Sequence, residues 1–283
     1  MFEWWTKYEF MRNAIVGGAL VGGMCSLLGV LVLQRGLAFL GEGLAHAAFG
    51  GVALGLLLDL GVRFHMDWLG PVWVAVPFCV CVAMAIGWVR NRGVATEGTA
   101  VGIFFSVSVA LGILFVFIRE KPSGDLESYL FGSLLAVRRV DVFVSAGLAA
   151  LILLVLGATW TKMAYITFDR ELAKLSGINV EALDYLLLAM MACVIVLSVK
   201  TVGVILVSSY LIIPAATARL MGGSLFGMTV KSVIVGVLGS TVGLVFSYYI
   251  NVPSGATVIL TLAAGFSATL LVRGGAALQG HSH

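Results

Sequence analysis

Apolar residues run along this chain in long blocks separated by short polar connections. Nine blocks have spanning length, near 14–34, 43–61, 71–89, 98–118, 141–161, 183–199, 201–220, 226–249 and 255–272. A helix that crosses a bilayer needs about 20 predominantly apolar residues. The pattern therefore predicts an all-α membrane protein, a polytopic bundle of about 8–9 transmembrane helices. Short separations leave no room for a soluble domain, so residues 1–283 read as a single transmembrane domain. The opening 1–13, MFEWWTKYEFMRN, mixes Trp4, Trp5 and Phe10 with Glu3, Lys7 and Arg12. That amphipathic, aromatic make-up predicts an interfacial segment and not a cleavable signal peptide.

Two connections exceed simple turns. In Arg119–Asp141, Pro122-Ser123-Gly124 ends the preceding helix, and 126–137 reads as a short, half-buried helix. The second, 162–184, reads KMAYITFDRELAKLSGINVEALD. Thr167 or Asp169 can cap a helix through Glu171, Leu172, Ala173, Lys174 and Leu175 that stops at Gly177. Leu172 and Leu175 share a face while Arg170, Glu171 and Lys174 are polar. Such a helix lies along a surface, either as a purely structural element or against something outside the bilayer.

Composition agrees with the blocks. Charged residues are 11% against about 25% in soluble domains, and mean hydropathy is +1.08, so lipid is the main solvent. A net charge of +3 without a basic cluster excludes a nucleic-acid partner. Cys25, Cys79, Cys81 and Cys193 all fall in apolar stretches, where thiols behave as small hydrophobes, so no disulfide framework is expected. Glycine recurs at four-residue spacing in Gly18/Gly22, Gly51/Gly55, Gly98/Gly102 and Gly239/Gly243, a device that lets helix backbones approach closely in lipid.

Chemistry concentrates in GEGLAHAAFGGVALG, where Glu42 and His46 lie four residues apart on one helix face. Ionisable groups in a span are expensive and mark ion or substrate pathways. Carboxylate plus imidazole suits zinc, manganese or iron. The plainer alternative makes Glu42 a helix cap and His46 an ordinary interface histidine. Further polar groups that could line a path are Glu97, at the head of the fourth block, and Ser208, Ser209 and Thr217 in the seventh. Pro214 breaks that seventh block and frees a carbonyl, although hydroxyls commonly bond back to their own helix. Arg63, His65 and Asp67 form a polar loop, and His281 and His283 a tail, both read first as solvated. No G-x-x-x-x-G-K-[ST], G-x-S-x-G or H-E-x-x-H occurs, so neither a P-loop nor an intramembrane serine or zinc protease is encoded here.

Three motifs then converge: GEGLAHAAFGGVALG, EGTAVGIFFS at Glu97–Ser106, and FDRELAKLSGINVEALDYLLL followed by VGVILVSSYLIIPAATARLM. In order and spacing, from about Ala14 to Arg273, the chain resembles the permease subunits of bacterial ABC importers for zinc, manganese and iron. The resemblance implies a multi-pass permease of the inner membrane, with a divalent metal as substrate and no tightly bound cofactor. It also implies cytosolic ATP-binding subunits, an extracytoplasmic metal-binding protein, and pairing as a homodimer or with a related permease. Glu42 and His46 match its metal motif, which more often has aspartate first, serine before the histidine, and proline where Gly50 stands. Gly50-Gly51 could supply the flexibility of that proline. Phe168, Asp169, Glu171, Leu172, Leu175 and Gly177 match its coupling helix, which makes 162–184 cytoplasmic. Lys and Arg give no independent orientation, because the 17 divide almost evenly between the two sides. The rival class is an ATPase-independent metal transporter or facilitator, which would be expected to carry more intramembrane acids or histidines.

Overall fold

The computed structural model describes residues 9–58, 70–119 and 137–279, with side chains to 273. Among them nine helices are long and apolar enough to cross a membrane. They are α1 (Glu9–Gln34), α2 (Ala38–Leu58), α3 (Val72–Asn91), α4 (Glu97–Ile118), α5 (Arg139–Phe168), α7 (Val180–Val202), α8 (Val204–Met221), α9 (Leu225–Ile250) and α10 (Ser254–Gln279). A six-residue helix, α6 (Arg170–Leu175), lies between α5 and α7. The polar loop at 63–67, the expected short helix at 126–137 except for its last residue, Val137, and the His281/His283 tail lie outside the described residues.

Two boundaries move. Glu9–Asn13, expected in the interfacial segment, form the start of α1, where Met11 is buried. Lys162–Phe168, expected in a connection, continue α5. No breaker precedes Asp169, and the Thr167 hydroxyl donates to the Met163 carbonyl of its own helix at 2.7 Å. Thr167 is thus committed to α5, and Asp169 alone caps α6.

The helices form two units. The first holds α1, the early part of α5, most of α8, α9 and α10. Here α9 packs on α10 through small residues: a Cβ at Gly243 would stand 2.6 Å from Val258 Cα. The expected break at Pro214 is absent, since α8 is helical throughout. Proline cannot donate to the carbonyl four residues back, which is that of Tyr210. The Ser26 hydroxyl of α1 donates to that carbonyl instead, at 3.3 Å. The freed acceptor is therefore satisfied inside the unit and is not offered to a path.

The second unit holds α2, α3, α4, the late part of α5, α6 and α7. In it α2 is pressed between α3 and α4. A Cβ at Gly55 would stand 2.5 Å from the Pro71 carbonyl oxygen, and one at Gly50 only 2.4 Å from that of Ser108. Gly50 and Gly51 sit within an unbroken helix. Their role is close backbone approach, not the hinge suggested by the resemblance. Spans reverse direction in turn, so the starts of α2, α4 and α7 gather with the ends of α3 and α5, beside α6.

Candidate functional site

At that end of the second unit a cavity of about 370 Å³ opens between α2 and α4. Glu42 and His46 line one wall, with Phe39 and Gly43; Gly98, Val101, Gly102 and Phe105 line the other. Glu42 is the fifth residue of α2, a full turn beyond Ala38, so it is not the cap of that helix. Its side chain is exposed to the cavity, and His46 is half-buried. The His46 imidazole meets the Phe105 ring edge to face, with centroids 5.2 Å apart. This contact restrains the imidazole.

Gly98 and Gly102 behave unlike the other spaced glycine pairs. A Cβ at either would have no neighbour within 4 Å. They keep the α4 wall bare instead of seating another helix. Glu97 precedes Gly98 at the head of α4, whose start is fixed by Thr96, its hydroxyl accepting from the Thr99 amide at 3.4 Å. Chemically the site offers one carboxylate and one imidazole on an otherwise apolar, glycine-thinned wall. Among the described residues no third His, Cys, Asp or Glu joins them in a metal-holding group.

The other expected pathway residues lie in α8, in the first unit. Pro214 and Thr217 are buried, and Ser208 and Ser209 half-buried. Thr217 donates to the Ile213 carbonyl at 2.8 Å, a bond within its own helix.

Around α6 the local chemistry is complete. The Asp169 carboxylate accepts from the Leu172 amide at 2.9 Å, Ser176 follows the last turn, and Gly177 turns the chain with φ +78°. Only glycine takes that backbone conformation without steric cost. Ala173 is the residue α6 buries, against Ile166 and Val180. Phe168, Leu172 and Leu175 point away, at 73%, 48% and 84% exposure. Three large apolar side chains around so short a helix form an uncovered face.

The sequence reading passed over Asp184. It lies in the first turns of α7, is 2% exposed, and holds two guanidinium groups: Arg170 of α6 at 2.7 Å and Arg90 of α3 at 3.0 Å. The signal was present, because a carboxylate at the head of LDYLLL must find a cation or stay uncharged.

A bundle of apolar helices with a carboxylate–imidazole cavity and a short helix that presents an exposed apolar face defines a polytopic membrane protein. The sequence profile described as "ABC 3 transport family" matches residues 7–273, and the chain belongs to that family. Relatives include the manganese transport system membrane protein MntC of Halalkalibacterium halodurans, 32% identical over 94% of this chain and 88% of that protein. The manganese import system permease protein ScaB of Streptococcus gordonii is 32% identical over 94% of this chain and 92% of its own. Among solved structures, PsaBC from Streptococcus pneumoniae in complex with Fab superposes with a TM-score of 0.83 at 33% identity, covering 95% of this chain and 94% of that one. An inward-facing putative metal-chelate type ABC transporter, at 17% identity and a TM-score of 0.70, shares the fold. The chain is thus the membrane-spanning permease subunit of an ATP-driven metal importer of the bacterial inner membrane. It is a transport subunit, and ATP is hydrolysed on a separate one; ATP-binding and substrate-binding partners complete such an importer.

Proposed function

We propose that this permease carries manganese, with Glu42 and His46 as transient ligands on the way through. The observation that carries the reading is their shared cavity wall, where among the described residues a carboxylate and an imidazole face open space together. Oxygen and nitrogen donors suit Mn²⁺, and the names of the relatives MntC and ScaB point to the same ion. Zinc and ferrous iron accept the same donors and are the competitors to test. Two ligands are few for an ion that favours about six, and few is useful, because conduction requires escape. A second permease, a copy or a related chain, would bring further ligands. Delivery falls to an extracytoplasmic metal-binding protein.

The uncovered face of Phe168, Leu172 and Leu175, with Asp169, Glu171 and Gly177 shaping its helix, docks the cytosolic ATP-binding subunit. That places α6 in the cytosol, the start of α1 outside and the end of α10 inside. The whole chain then works as a single permease domain. Closure of the ATP-binding subunits would move α6 and re-aim the spans around the cavity.

The test is uptake of labelled manganese by cells lacking the chromosomal copy and supplied with variants. Glu42→Ala or His46→Ala is expected to lower uptake by about tenfold or more, with membrane protein levels unchanged. Normal uptake by a well-expressed His46→Ala variant would refute the ligand role. Stronger competition by zinc or iron than by manganese itself would reassign the ion.

A further inference from the structure

We propose that Asp184 is a positioning residue that transmits motion from α6 to the wall of the metal cavity. The inference rests on the reading of α6 as the coupling helix and adds the link that such a helix needs. One carboxylate oxygen of Asp184 receives Arg170 at 2.7 Å and Arg90 at 3.0 Å. Arg170 is the first residue of α6, and Arg90 stands in the last turn of α3. Three helices therefore meet at one buried atom.

The two arginines differ in a way that suits the role. Arg90 is 16% exposed and also donates to the side-chain oxygen of its neighbour Asn91 at 3.2 Å, so its guanidinium is held from two sides. Arg170 is 39% exposed and stands on a helix that buries little besides Ala173. Asp184 itself is locked to α3 by packing. A Cβ at Gly87 would lie 2.6 Å from Leu188 and 3.0 Å from Tyr185, which places α7 directly on α3. A push on α6 thus reaches α7 and α3 through a directional, charge-assisted contact and not only through the small apolar patch at Ala173.

From Arg90 the route to the cavity is short. Five residues, Arg92–Thr96, join α3 to α4, and the Arg90 guanidinium interacts electrostatically with Glu97, the first residue of α4. Gly98, Val101 and Gly102 follow at once as cavity wall. Re-aiming Arg90 would re-aim the first two turns of α4 against Glu42 and His46. Burial raises the stakes of the contact, since removing the carboxylate leaves two cations without their shared partner.

The experiment uses the permease assembled with its ATP-binding subunits in proteoliposomes, with manganese and the binding protein added. Uptake and ATP hydrolysis are measured on the same preparation. Asp184→Asn is expected to keep assembly and hydrolysis while uptake per ATP falls about tenfold; Asp184→Glu should recover part of it. Arg170→Gln leaves the Arg90–Asp184 pair in place and should uncouple in the same direction, which decides the matter if Asp184→Asn does not fold. A wild-type ratio of uptake to hydrolysis in folded Arg170→Gln would overturn the proposal, as would parallel loss of both activities. Failure of the wild-type complex to take up manganese on ATP addition would instead strike the functional reading itself.

Discussion

Gly50 and Gly98 are both helical glycines in the second unit, and the structure gives them opposite jobs. A Cβ at Gly50 would sit 2.4 Å from the Ser108 carbonyl oxygen, where ordinary contact begins at 3.4 Å. The obstacle is backbone of a facing helix and cannot rotate aside, so α2 and α4 must part by about 1 Å. Overpacking of this kind costs about 3 kcal/mol, the upper part of its usual range. Alanine recovers about 1 kcal/mol of helix propensity. The net loss of about 2 kcal/mol corresponds to a Tm lower by about 3–4 °C in a chain of this size. Gly98→Ala meets nothing within 4 Å. It should unfold no earlier than wild type and yet slow manganese uptake, because the new methyl stands on the cavity wall. Thermal unfolding of the purified permease in detergent, with uptake measured in parallel, separates the two. Equal loss of Tm in both variants, or none in Gly50→Ala, would refute the reasoning.

Two further outcomes follow from local geometry. Ser26→Ala should cost about 1–3 kcal/mol by orphaning the Tyr210 carbonyl. In a Pro214→Ala background, where the missing amide is restored, the same change should cost almost nothing; a thermal double-mutant cycle with no coupling would contradict the assignment. Leu172→Asp puts a charge on the uncovered face of α6 and should abolish co-purification of the ATP-binding subunit, which wild-type yield together with intact transport would disprove.

The spans were legible because lipid imposes length and apolarity on every crossing, and each of the nine blocks maps to a helix among the described residues. Glu42 and His46 were legible because a four-residue spacing fixes a shared face once the helix is granted. What the sequence concealed was partnership. Pro214 signals a free carbonyl, but nothing near it in the chain says that Ser26, far away in sequence, will fill it. Gly98/Gly102 reads like Gly51/Gly55, although the first pair faces a cavity and the second a helix. Asp184 was hidden for the same reason, since its cations come from two other helices.

The length of α5 has a consequence for its surroundings. Between Asp141 and Lys162 the helix carries no charge. Those 20 intervening residues rise about 30 Å, the thickness of the hydrocarbon layer. Lys162 to Phe168 then add about 10 Å more. With α5 along the membrane normal and Asp141 at one edge of that layer, Phe168, Leu172 and Leu175 would stand beyond the acyl chains, at headgroup depth. On the reading of α6 as the helix that docks the ATP-binding subunit, bilayer thickness and acyl composition should then have little hold on this face.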